Sequence, residues 1–75
     1  MSGTDHAETP ASLVRMANQI ASNAEHKPHD IAVGLVADHL RDFWAPSMRL
    51  RLAVYVDTGG VGLSPLALEG LDRLR

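Results

Sequence analysis

Four prolines, Pro10, Pro28, Pro46 and Pro65, divide the 75-residue chain into segments that are each the length of one short helix. Proline is accepted at the first helical position because its fixed φ is already helical and the N–H it lacks would have no partner there. Each proline therefore reads as a helix start, and the neighbouring residues agree. Thr9 and Ser64 stand just before Pro10 and Pro65, where a hydroxyl can cap the helix. Asp30 follows Pro28 closely enough to meet the positive end of the helix dipole. The expected architecture is all-α, a small bundle of three to four short helices, each opening at a proline. Residues 1–8 are polar and aperiodic and are expected to fray, which leaves residues 9–75 as a single helical domain.

Periodicity supports this division. The first helix, Pro10 to about Asn23, repeats Leu13, Met16, Ala17, Ile20 and Ala24 on one side and puts Arg15, Asn18, Gln19 and Ser22 mainly on the other. The second, Pro28 to about Trp44, is apolar all round from Ile31 to Ala37, and such a helix needs burial on several sides. Three other short helices can hardly surround it. A partner surface is the simplest account, and a snug bundle is the other. Gly34, inside that run, costs about 1 kcal/mol relative to Ala and is better tolerated where another backbone comes close.

Met48 to Asp57 alternates with the period of a strand, but Val61-Gly62-Leu63 is too short to be its mate and an isolated hairpin is marginal. A helix is expected instead, with Met48, Leu52, Tyr55 and Val56 as its stripe and Gly59 or Gly60 as the left-handed residue that ends it. The last helix turns Leu68, Leu71 and Leu74 inward and sets Glu69 four residues before Arg73 as a surface pair.

A chain this short removes only about 60% of its unfolded surface from water on folding, and usually adds disulfides, a metal or a partner. It has no cysteine, which excludes disulfides, thiolate zinc sites, iron–sulfur ligation and cysteine catalysis. Seven Lys and Arg against nine Asp and Glu give a net charge of -2, without the basic excess that selects nucleic acid or an anionic membrane. The N-terminus has no basic start leading into an apolar core, so no secretory signal is expected. No apolar stretch approaches the ~20 residues that cross a bilayer. The expectation is a cytoplasmic chain with no membrane and no nucleic acid among its partners.

Candidate chemistry is sparse. Asp57-Thr58-Gly59 imitates the turn of aspartic proteases, but that chemistry needs two carboxylates sharing a proton and a strand leading into each. A helix end followed by a glycine-rich turn is the plainer reading. His26, His29 and His39, with Asp30 and Asp38, assemble a metal site only on paper, since His39 lies roughly 15 Å along the helix from His29. Gly59-Gly60-Val61-Gly62 lacks the strand, lysine and acid of nucleotide loops. No serine has a His and Asp arranged around it. These residues point to binding rather than catalysis.

The residues that could face a partner are more distinctive. Phe43 and Trp44 are adjacent at the end of the apolar helix, and neighbours on a helix point about 100° apart, so one can be core while the other faces outward. Trp44 either plugs the corner between the second and third helices or is an interface hot spot, a role in which tryptophan is enriched. Arg49 and Arg51 are either solvated flanks or arginine anchors for an acidic surface. Asn18 and Gln19 are either solvated amides or hydrogen-bonding groups for a partner.

Four blocks carry a resemblance: Leu13-Val14-Arg15-Met16-Ala17-Asn18-Gln19-Ile20-Ala21, then Val36-Ala37-Asp38-His39-Leu40, then Phe43-Trp44-Ala45-Pro46-Ser47-Met48-Arg49, then Gly59-Gly60-Val61-Gly62-Leu63-Ser64-Pro65-Leu66. In this order they resemble the delta subunit of soluble, NAD-dependent formate dehydrogenases that contain molybdenum or tungsten. The family often has aromatics where this chain has Ser22 and Asn23, and usually Asp, Arg and Asp where it has Ala45, Ser47 and Ser64. Ser64 keeps an N-cap. Ala45 and Ser47 remove charge beside the tryptophan.

The resemblance implies a non-catalytic accessory subunit that supports assembly, stability or maturation by docking on the large catalytic (alpha) subunit and, through it, the beta and gamma subunits. It implies no cofactor in this chain; the holoenzyme would hold bis-molybdopterin guanine dinucleotide with Mo or W, iron–sulfur clusters, FMN and NAD. The residues expected to meet the partner are Arg15, Asn18, Gln19, Val36, His39, Leu40, Phe43, Trp44, Met48 and Arg49. The alternative is a self-associating helical interaction or chaperone module without its own catalysis.

Overall fold

Helices begin where the prolines stand. The computed structural model describes residues 9–75, in which the chain forms α1 (Pro10–Ala24), α2 (His29–Phe43), α3 (Pro46–Asp57) and α4 (Pro65–Asp72). No strand occurs among the described residues. The expected fraying of residues 1–8 lies outside them.

The caps are those the sequence announces. Thr9 Oγ1 accepts the Ser12 N–H at 3.2 Å, and Ser64 Oγ accepts the Ala67 N–H at 3.2 Å. Pro10, Pro46 and Pro65 stand in the first turns of α1, α3 and α4. α2 differs: Pro28 is its N-cap, the helix opens at His29, and Asp30 in its first turn and Arg41 in its last complement its dipole. At the end of α3, Gly59 and Gly60 donate their N–H groups back to the carbonyls of Val56 and Tyr55 at 3.0 and 3.1 Å. Both glycines have positive φ, which a side chain would resist.

Met48 to Asp57 is thus helical despite its alternation, and Met48, Leu52, Tyr55 and Val56 pack on the core. A helix satisfies its own backbone, whereas a strand here would have had no neighbour to bond.

α2 and α3 each pack on α1 and α4 but scarcely touch one another, so α1 and α4 lie between them. The largest fully buried side chains are Leu13, Val36, Leu40, Leu52 and Leu71, each contributing about 1.5–3 kcal/mol by leaving water. Alanines fill the rest of the core, among them Ala17, Ala21, Ala24, Ala32 and Ala67. Small side chains bring the helix backbones close together.

The tightest approach is at Gly70 of α4. A β-carbon built there would run into Val36 Cγ1, lie 2.7 Å from Val36 Cβ and 3.2 Å from the backbone nitrogen of Ala37. The close backbone contact expected at Gly34 is absent, since a β-carbon there would meet only Arg73 Nη1, at 3.5 Å.

Two details of α4 also differ from expectation. Its inward face is Ala67, Gly70 and Leu71, with Leu74 packed beside them, while Leu68 is only half-buried. Ala67, Gly70, Leu71 and Leu74 share one side of a helix and Leu68 falls at its edge. Glu69 reaches His29 at 2.8 Å and so ties α4 to the start of α2.

Gly70→Ala is therefore expected to destabilise the fold by about 1–3 kcal/mol through overpacking, read as a lower urea midpoint. Adding Val36→Ala removes the atoms in the way, and the double variant is expected to lose less than the sum of the two singles. A Gly70→Ala protein as stable as the wild type would show that α4 can stand off from α2 at no cost.

Candidate functional site

The apolar run of α2 is only half covered. Ala32, Val33, Val36 and Ala37 turn inward, whereas Ile31 and Leu35 remain 54% and 44% exposed. The row continues at helical spacing through His39 to Phe43, whose rings are 4.8 Å apart with planes inclined at 40°. Phe43 is 75% exposed. At this end of α2 the row meets a shallow depression of about 440 Å³, lined by Arg15, Met16, Gln19 and Ile20 of α1 with His39 and Trp44. Met16, on the solvent edge of α1, adds a flexible and polarizable surface.

Charge is confined to the margins. Arg41 binds Asp38 at 3.1 Å and Asp42 at 3.0 Å. The hydrogen bond that Arg41 donates to Asp42, then the charges of Asp42 and Asp38, raise the Arg41 pKa above its ordinary value. All three side chains are exposed, so this cluster contributes little to stability. The depression itself is bordered by Arg15 and holds no carboxylate.

This surface gathers Arg15, Gln19, His39 and Phe43 from the residues expected to meet a partner, and Trp44 reaches it only at the wall of the depression. It does not gather the others as exposed groups. Val36 and Leu40 are fully buried, because they lie on the side of α2 that faces the core, and they present nothing to a partner. Trp44 is 6% exposed and belongs to the core cluster. The choice left open by the 100° between neighbours falls to Phe43 outside and Trp44 inside. Met48 packs on the core from α3, and Arg49 lines a separate depression between α3 and α4. Ile31 and Leu35 belong to the apolar run for which a partner surface was the simplest account, and the positions four apart that run back from Phe43 and His39 mark them. Met16, read as part of the apolar stripe of the first helix, lies instead at its edge, 38% exposed.

Asn18 has a structural task. Its Oδ1 accepts the Ser64 N–H at 2.8 Å, and its Nδ2 donates to the Gly62 carbonyl at 2.8 Å. One amide thus clasps the loop between α3 and α4 to α1. Tyr55 holds the same loop from the other side, its hydroxyl donating to the Val61 carbonyl at 2.6 Å. Gly62 has φ 89°, which only glycine adopts freely. The glycine-rich segment is accordingly a pinned turn.

The remaining candidates are spread apart. His29 meets Glu69 and His39 meets Phe43, and no group of three His, Cys, Asp or Glu converges among the described residues. Asp57 ends α3, not a strand, and its carboxylate accepts from Arg75 Nη2 at 2.9 Å.

If the clasp is structural, Asn18→Ala leaves a backbone donor and acceptor without partners and is expected to cost about 1–3 kcal/mol in urea unfolding. Asn18→Asp keeps the acceptor for Ser64 but sets a carboxylate against the Gly62 carbonyl, and should also destabilise. A variant of normal stability that has lost partner binding would return Asn18 to the interface.

The chain matches the family model described as NADH-dependant formate dehydrogenase delta subunit FdsD over residues 12–71. Neither a curated protein nor a solved structure matches it. The matched span runs from the first turn of α1 into the last turn of α4. It includes the Asn18 clasp, the His39 and Phe43 stack and the Gly70 contact, so the chain belongs to the formate dehydrogenase delta-subunit family.

Proposed function

We propose that this chain is a non-catalytic accessory subunit of a NAD-dependent formate dehydrogenase, docking on the large catalytic subunit to support assembly, stability or maturation of the enzyme. The observation that carries the docking is the uncovered row Ile31, Leu35, His39 and Phe43 on α2, which meets the Met16 and Ile20 edge of α1. A ring left 75% exposed at the end of this apolar row is where binding energy concentrates, since aromatic side chains are enriched among the residues that dominate interfaces. Arg15 and the Arg41 cluster then form a polar rim.

The redox chemistry belongs, on this reading, to the other subunits. Without cysteine the chain offers no thiolate to an iron–sulfur cluster. Its glycine-rich loop is occupied by Asn18 and Tyr55 instead of cradling a phosphate. Bis-molybdopterin guanine dinucleotide, the clusters, FMN and NAD would therefore be held by the alpha, beta and gamma subunits. A small chain with a thin core gains from such docking, because a partner that binds only the folded state stabilises it by mass action.

A tagged copy is expected to recover the large catalytic subunit from cells that express the whole complex. Phe43→Ser should weaken that recovery by about 2 kcal/mol or more with circular dichroism unchanged. Trp44→Ala should act differently, lowering the unfolding midpoint by about 3–5 kcal/mol of stability, as expected for a buried aromatic. A wild-type chain that recovers no formate dehydrogenase subunit would sink the proposal. One that sediments alone as a dimer, and becomes monomeric with Phe43→Ser, would replace it by self-association.

A further inference from the structure

The side of the bundle formed by α3 and α4 carries an uncompensated arginine. Arg49 is half-buried on the wall of a depression of about 300 Å³ between these helices. Its Nε is closed off from solvent and has no hydrogen-bond partner among the described residues. The one carboxylate on the same wall, Asp57, is engaged by Arg75 at 2.9 Å. That hydrogen bond and charge raise the Arg75 pKa above its ordinary value. Leu50 and Val54 stand at the rim, 65% and 55% exposed.

A half-buried guanidinium with no carboxylate of its own raises the free energy of the unbound chain. A carboxylate suits it best, since its two oxygens pair with the hydrogens at the open terminal nitrogens of the guanidinium. The apolar rim strengthens such a pair by excluding water. We propose that this notch is a second docking site, in which Arg49 takes the carboxylate of an acidic side chain on a partner polypeptide while Leu50 and Val54 cover that residue's apolar neighbours.

The inference rests on the proposed function in taking the partner to be another formate dehydrogenase subunit. The notch lies between α3 and α4, the Phe43 surface lies on α2 and α1, and the two depressions share no lining residue. The chain then meets the complex through two separate surfaces.

The test titrates the full chain, as wild type, Arg49→Gln, Arg49→Glu and Arg49→Lys, against the remaining formate dehydrogenase subunits prepared without it. Each chain is also melted alone. Arg49→Gln is expected to weaken binding about tenfold or more, Arg49→Glu further, and Arg49→Lys least. Wild-type binding should weaken with added salt more steeply than that of Arg49→Gln. The melting temperature of Arg49→Gln alone should stay level or rise, because the orphaned Nε–H is gone. Wild-type affinity in Arg49→Glu would overturn this inference and leave the Phe43 surface standing. Weaker binding that tracks a lower melting temperature would also overturn it, making Arg49 a folding residue. A wild-type chain that binds no subunit would overturn both.

Discussion

At Gly70 a hydrogen atom occupies the place of a side chain, and the position of α4 on α2 depends on it. With the backbone of α4 set against Val36 and Ala37, Leu71 is only 1% exposed and Ala67 fully buried. α4 can then contact α1 while leaving α3 a place on its other side. Any side chain at Gly70 pushes α4 outward, and the core has few large residues with which to fill the gap. Protein interiors tolerate neither overlap nor voids of a methyl group's size without loss.

The rest of the structure follows from a core built on alanine. Small side chains give close helices but little apolar area, so the free energy of burial is modest. Local devices supply part of what is missing: hydroxyl caps at Thr9 and Ser64, the two glycine N–H groups that donate back to the end of α3, and the two side chains that hold the loop before α4. The same economy explains the surface. A bundle of four short helices cannot enclose both sides of α2, and the sides left over, at Ile31, Leu35 and Phe43, are those on which the proposed docking draws.

Much of this was legible because it is local. Proline, the residue before it and the apolar repeat specify helix starts without reference to the rest of the chain, and three of the four starts fall as read. Features that depend on distant residues were not legible. Asn18 looks like a solvated amide because both its partners lie more than forty residues away. Gly34 sits in the apolar run and attracts attention, yet Gly70 makes the close contact, since only the register of α4 on α2 decides which glycine faces a backbone. Glu69 has Arg73 within reach on its own helix but bonds His29 across the bundle. At the candidate site the pair Phe43 and Trp44 was identifiable, but which ring faces solvent depends on where α2 ends. Trp44 leaves the helix with an extended backbone and turns inward, and that end point is not a property of periodicity.

The Asn18 amide spans separations of 44 and 46 residues with its two bonds. Closing so long a loop carries an entropic cost that precedes any reward from the bonds. The clasp therefore draws on the packing of α4 against α1 and α2, which brings its two ends together. It is also the latch on the segment that carries the cap of α4. Opening it frees that loop and the cap at Ser64, while the body of α4 stays held against α2 at Gly70. Slow exchange of the Ser64 amide hydrogen is the signature of a closed latch, which makes this one proton a reporter of whether a partner has tightened the bundle.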